Sequence, residues 1–441
     1  MVSEGRPERG EGGPSHGPAG PRWYRGLPGA LWIALAILSA AWMLDTYETQ
    51  IFNITRIDLL SELLRLPPGD PGIKFWGEIF LGLYLVGGAV GGTYFGSLAD
   101  RIGRRPALII TILVFTVFSG VIGLAQAAWQ VAVCRFTVAL GSAGAWAVGA
   151  PYIAEVFPAR SRAQASAVFH SSGSLGTWVA GLVGVVLGAN WRVAYFLGVV
   201  PIVLVFAVQA GIKESKSWQD SVLNPGASRG SLKELLLSRA WGGRAILGML
   251  IAGIGLGTFW CLNVGGQDLV QEFLARHGIA DDEARSRARF AYGFLIAGGS
   301  LLGVITFGPI AQKFGRRRSL GWALAAAALI IPATWYLPRT YGQLLLVLPL
   351  YGYITNGFHA VFAVYFPELF PTHLRATGAG FCFNGGRLLA AAILVSSAWI
   401  KSVPGLELRA AACILAVLYL AGIGVTTLLP ETKNEDLAAV P

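Results

Sequence analysis

The sequence predicts an all-α membrane protein, with twelve transmembrane helices arranged as two pseudo-symmetric six-helix bundles. Three observations lead there. The 441 residues are 54% hydrophobic and only 13% charged, with a mean hydropathy of +0.58, far from the balance of a soluble domain. Apolar runs near the roughly 20 residues that cross a ~30 Å hydrocarbon core recur twelve times along the chain. Two pairs of short motifs also repeat at nearly one offset between its halves.

In chain order, residues 1–28 are basic and rich in Gly and Pro, and no short apolar segment with a small-residue cleavage site follows them. They read as a disordered cytoplasmic tail. The apolar runs, spans 1 to 12, fall near 30–54, 76–99, 107–127, 129–153, 163–188, 191–212, 244–266, 289–312, 319–337, 342–366, 376–400 and 406–429. Spans 1 to 6 form an N-terminal bundle over 29–212, and spans 7 to 12 a C-terminal bundle over 244–430. Between them the polar stretch 213–243, with Pro225, Gly226 and Gly230, reads as a cytoplasmic linker, and 431–441 as a second cytoplasmic tail. With the N-terminus inside, the inner segments carry roughly twice the Lys and Arg of the outer loops, the positive-inside asymmetry. That asymmetry accounts for the net charge of +10 without nucleic acid. It implies a multi-pass protein of the plasma (inner) membrane with both termini cytoplasmic.

Enzymatic chemistry is not expected. Cys134, Cys261, Cys382 and Cys413 sit at irregular distances in apolar stretches, which suggests neither a disulfide framework nor a zinc site. "GASRG" (226–230) fits a nucleophile-elbow pattern but lies in the linker with no strand before it. The chain has no phosphate-binding loop of the G-x-x-x-x-G-K-[ST] type, so it does not itself use ATP. No cofactor or metal is expected.

The repeat is carried by "GSLADRIGRRPAL" (96–108) against "GPIAQKFGRRRSL" (308–320), and by "EVFPARSRA" (155–163) against "ELFPTHLRA" (368–376), offset by 212 and 213 residues. A duplicated six-span unit places a site at the interface of its halves. With "GSLADRIGRR" between spans 2 and 3, the chain resembles the major facilitator superfamily over about residues 28 to 437. "KESKSW" (213–218) and "PETKN" (430–434) resemble the sugar-porter branch. "LDTYE" (44–48), "GGQDLVQEFL" (265–274) and "RATGAGFCFNGGR" (375–387) resemble the aromatic-acid, sialate and carboxylate proton symporters. The resemblance implies a secondary transporter working by alternating access and drawing on a proton gradient. Its partners would be a small-molecule substrate, protons and membrane lipids, with the chain working as a monomer.

Charges inside the spans are the candidate site, because each is costly in lipid unless it faces water or a partner. Asp45 lies 14 residues into span 1 and Arg135 six into span 4. Both therefore come to about 9 Å from the outer edge of the core. Asp45 and Glu48 are three apart on one helical face, where two acids resist joint ionisation, and Glu48 is nearer the surface. Asp45, Glu48 and Arg135 are the proton-coupling candidates; the resemblance implies a first-span acid paired with a fourth-span Arg. His170 stands eight residues beyond Arg162, where sugar porters place a substrate-binding Gln. His359 is a weaker candidate in span 10. Arg387 in span 11, beside Asn384, requires an anion, which is either Asp268 or Glu272 or a substrate carboxylate. Asn263 and Gln267, four apart in span 7, share a face as ligand-binding amides would. Sugar porters carry a Gln pair there, which this chain lacks. A third group belongs to the loops. Gly96, Asp100, Arg101, Gly103, Arg104 and Arg105, with Glu155 and Arg162, resemble the family's inner gate, and Arg316, Arg317, Glu368 and Arg375 form its repeat copy, where Gln312 replaces the acid.

The expected function is proton symport of a small organic solute, with a carboxylate favoured (monocarboxylate, aromatic acid or sialic-acid-like). A sugar or polyol porter is the alternative, with a proton-driven drug exporter or a non-transporting sensor behind it.

Overall fold

The structure is a computed structural model and describes residues 23–67, 70–187, 190–223, 229–264, 266–401 and 403–433. The tails 1–22 and 434–441 and part of the linker lie outside the described residues.

Twelve membrane-length helical segments follow one another, and no strand occurs among the described residues. Span 1 is Gly29–Leu64, span 2 Pro71–Ile102, span 3 Arg104–Gly123, span 4 Ala128–Val156 and span 5 Ala159–Leu187. Span 6 is Trp191–Gly211 and span 7 begins at Gly242, while span 8 is Ala291–Phe314, span 9 Arg316–Tyr336 and span 10 Tyr341–Glu368. Span 11 is Arg375–Lys401 and span 12 Leu408–Leu428. Eleven of these are both long and apolar enough to cross a bilayer. Span 5 is long enough but carries Arg162, Gln164, His170 and a run of serines, so its polar side must be turned into the protein.

The packing repeats with the sequence. Span 2 packs on 4 as 8 packs on 10, span 1 on 5 as 7 on 11, and span 3 on 6 as 9 on 12. Across the middle, span 2 meets span 11 and span 5 meets span 8, two contacts exchanged by the same pseudo-twofold. Glycines permit the close approach of span 2 to span 11. A side chain at Gly96 would overlap the Ala376 carbonyl, and one at Gly92 would overlap Asn384.

Four spans depart from straight α-helix among the described residues, span 8 by opening on a π-turn, Ala291–Ile296. Span 6 breaks between Leu197 and Val203 around Gly198 and Pro201. Span 7 runs from α-helix Gly242–Thr258 into a π-turn, Phe259–Val264, and such bulges are frequent at functional sites. Span 10 is interrupted at Phe358, next to His359.

Candidate functional site

A cavity of about 190 Å³ lies between the halves. Span 1 contributes Trp42, Asp45 and Thr49, span 5 His170 and Ser174, span 7 Phe259 and Trp260, span 10 Asn356 and His359, and span 11 Phe383 and Arg387. Its floor is aromatic. Trp146 of span 4 stacks on Phe383 of span 11 with centroids 3.9 Å apart, joining the two halves, and Trp42 stacks on His170 at 5.5 Å.

Hydrogen bonding fixes the tautomers of both histidines. Trp146 Nε1–H donates to His170 Nδ1 at 3.4 Å, so His170 carries its proton on Nε2. His359 Nδ1 lies 3.1 Å from the Asn356 carbonyl, which can only accept. Its Nε2 is buried, and the Gly255 backbone also lies against the ring. The cavity thus holds two imidazoles, of which His170 presents a donor.

The acids on span 1 are both buried, Asp45 3% and Glu48 0% exposed, but they face different places. Residues three apart on a helix are about 60° apart in azimuth. Asp45 turns toward the cavity, Ser142 and Arg387. Glu48 turns into the first half, where its Oε2 accepts from Ser119 at 2.7 Å. A side chain at Gly198, where span 6 breaks, would overlap Glu48 Oε1. Equal depth pairs Asp45 with Arg135 and puts Glu48 nearer the surface. Instead Arg135 belongs with Glu48, because depth along an axis says nothing about azimuth. Arg135 Nη1 donates to the Glu48 carbonyl at 3.4 Å, and its guanidinium lies over the rings of Phe52 and Tyr84 at 4.1 and 4.4 Å. A hydroxyl chain connects the two regions, Thr49 to Tyr84 at 2.7 Å and Tyr84 to Ser142 at 3.0 Å.

Arg387 meets neither of the span 7 acids expected for it. Asp268 is exposed and away from the cavity, and Glu272 pairs with Arg276. The acid that lines the same cavity as Arg387 is Asp45, from the other half of the chain. Asn384 reaches across to the Ala143 carbonyl at 3.5 Å rather than lining the cavity. The side chains of Asn263 and Gln267 lie outside the described residues.

The loop residues build a two-fold network at the face that carries the linker. Arg104 bridges Asp100 at 2.7 Å and Glu155 at 2.6 Å, and Arg375 of the second half also bonds Glu155 at 3.3 Å. The repeat copy mirrors it, with Glu368 held by Arg316 at 2.9 Å and by Arg162 of the first half at 3.2 Å. Asp100 also caps span 11, accepting from the amides of Ala376 at 3.2 Å and Thr377 at 2.7 Å. Gln312 makes no such cap, and its Oε1 has no partner among the described residues. Gly103 and Gly315 turn the chain at φ +105° and +101°, where a Cβ would be strained. Arg101 bonds the linker carbonyl of Gly230 at 3.2 Å, and Arg105 the Gln209 carbonyl at 2.5 Å. Arg317 contributes its backbone amide to Glu431 at 3.2 Å.

Sequence reasoning passed over four members of this network. Glu214 accepts from the amides of Arg104 and Arg105 at 2.6 and 3.1 Å, and Glu431 accepts from Arg316 at 2.8 Å. Ser215 and Thr432 follow them in sequence and bond Glu155 and Glu368 at 2.5 and 2.7 Å. The signal was present in "KESKSW" and "PETKN", which place E-S and E-T at the same point of each repeat. Every ion pair that joins the two halves among the described residues lies at this face. The cavity is therefore closed on the linker side.

Two six-helix halves around a central polar cavity, sealed at one face by ion pairs, define a multi-pass membrane transporter. The chain belongs to the major facilitator superfamily, whose sequence profile matches residues 31–266. A second profile, of the sugar (and other) transporters, matches residues 291–441. Among curated proteins, a probable 4-methylmuconolactone transporter of Cupriavidus pinatubonensis is 28% identical over 408 residues, covering 90% of this chain and 89% of its own. The sialic acid transporter NanX of Escherichia coli is 27% identical over 357 residues, covering 79% and 84%. Among solved structures, the proton:xylose symporter XylE bound to 6-bromo-6-deoxy-D-glucose superposes with a TM-score of 0.74 at 17% identity, covering 93% of this chain and 98% of that one. This last likeness concerns the fold.

Proposed function

We propose that this transporter is a proton-coupled symporter that moves a small organic carboxylate, of the monocarboxylate, aromatic-acid or sialic-acid-like class, by alternating access. The observation that carries the substrate class is Arg387, whose Nη1 is buried at the cavity with no hydrogen-bond partner among the described residues. A buried guanidinium in that condition is complementary to an anion. The aromatic walls suit the apolar or planar part of such a solute, and the His170 donor and the His359 ring suit its polar substituents. Asp45 is the proton carrier, with Glu48 and Arg135 as a buried pair behind it. The two bundles, 29–212 and 244–430, rock about the cavity, and the linker face with its gate is cytoplasmic. This conformation is then closed to the cytoplasm.

The test is uptake into proteoliposomes under an imposed pH gradient, with benzoate, N-acetylneuraminate and glucose as solutes. Accumulation of an acid that depends on the gradient, and its loss in Asp45→Asn, is the expected result. Gradient-independent accumulation in Asp45→Asn would remove Asp45 from the coupling role. A second reading, a sugar or polyol porter, is favoured by the sugar-transporter profile over 291–441. It would leave Arg387 without a counter-charge from the solute, and it requires that glucose uptake be indifferent to the acids.

A further inference from the structure

The proton site and the anion site of this cavity are built on different halves of the chain, yet they face one another. Asp45 stands on span 1 and Arg387 on span 11, and both line the same cavity. They do not form an ion pair of 4 Å or less among the described residues. Each keeps a free atom instead. Asp45 Oδ1 and Arg387 Nη1 are both buried and both without a hydrogen-bond partner among the described residues. The guanidinium reaches this position over a notch in span 2, where a side chain at Gly88 would overlap Nη1. The other titratable groups beside Asp45 or at the cavity are Glu48 on its own span, Tyr84 on span 2, Arg135 on span 4, His170 on span 5 and His359 on span 10. Of these only Arg135 is a fixed cation, and it is held between Phe52, Tyr84 and the Glu48 backbone.

We infer that Arg387 is shared between Asp45 and the transported anion, so that the solute's carboxylate, on taking Arg387, leaves Asp45 to take up a proton. The inference rests on the carboxylate reading above and supplies its coupling step. In the empty cavity the Asp45 carboxylate is stabilised by Arg387. When an anion occupies Arg387, that stabilisation is lost and a second negative charge stands nearby, so both effects raise the proton affinity of Asp45. One anion and one proton enter together, and the net charge of the cavity is the same empty and loaded. Solute affinity must then rise as pH falls, since protonating Asp45 removes the competitor for Arg387. A neutral solute cannot drive the exchange.

The experiment uses the purified full chain in detergent, with binding measured by calorimetry and proton exchange by a pH-indicating dye in weakly buffered solution. The probes are benzoate, its neutral amide benzamide, and N-acetylneuraminate. For the wild type, binding of an acid should take up about one proton per acid bound, and benzamide none. Asp45→Asn should bind the same acid on the order of tenfold more tightly near neutral pH, a shift typical of coupled sites, with no proton uptake and no pH dependence. Arg387→Gln should lose acid binding. Gly88→Ala crowds the guanidinium while leaving both charges in place, and should lower the proton uptake per acid. Acid binding without proton uptake, or an Asp45→Asn variant that binds no more tightly, would overturn the exchange and leave the carboxylate reading standing. If neither acid bound wild type or Asp45→Asn while glucose bound, the carboxylate reading would fail and the exchange with it.

Discussion

Asp100→Asn tests what holds the linker face shut. The Asp100 carboxylate is fully buried and accepts from Arg104 at 2.7 Å, from the amides of Ala376 and Thr377 at 3.2 and 2.7 Å, and from Thr377 Oγ1 at 2.5 Å. Three of those four donors belong to span 11, in the other half of the chain. Asparagine keeps the shape but loses the charge, and its NH₂ faces donors where a carboxylate oxygen accepted from them. The Arg104 pair lies within the first half and is common to the closed and open states, so what separates them is the set of bonds to span 11. Hydrogen bonds to a charged group contribute about 1.5–3 kcal/mol. At about 1.4 kcal/mol per tenfold, the closed-to-open ratio should fall by roughly one to two orders of magnitude. Hydrogen exchange read by mass spectrometry would report this as faster exchange at the start of span 11 and in the linker helix Leu232–Leu237, with the far ends of the spans unaffected. Unchanged protection at Ala376 and Thr377 in a folded variant would refute the reasoning.

Other consequences follow from single contacts. Gly198→Ala would push a methyl into Glu48 Oε1 and Ser119 Oγ; overpacking of this kind costs about 1–3 kcal/mol. It should lower the thermal unfolding midpoint, and adding Glu48→Ala should restore much of the loss. Trp146→Ala removes the stack on Phe383 and the donor to His170. Solute affinity should drop about threefold to tenfold in a binding titration, since the stack alone contributes about 0.5–1.5 kcal/mol. Glu214→Ala and Glu431→Ala each uncap a helix start, at about 0.5–2 kcal/mol apiece. Because the two sites are separate, the double variant should show the sum of the single losses in stability.

Composition, apolar spacing and the two repeated motifs were sufficient for twelve spans and their order, because lipid and the positive-inside bias act on local sequence. The charged network of the linker face was readable for a similar reason: its residues sit close together in sequence at "ADRIGRR" and "EVFPARSRA" of the first half, and the second half repeats both with Gln312 in place of Asp100. Periodicity along one helix could also place Asp45 and Arg135 at similar depth. It could not say which way either side chain points around its axis. That was decided by packing, which turned Glu48 toward Ser119 and Arg135 and turned Asp45 toward Arg387, 342 positions away in the chain. The tautomers of His170 and His359, the Trp146–Phe383 floor and the caps from Glu214 and Glu431 likewise depend on neighbours from other spans. Sequence alone determined that this chain crosses a membrane as two related halves. Only the tertiary structure decided which charges meet at its centre, because such a meeting is set by the rotation of each helix against its neighbours and by the glycines that let them close.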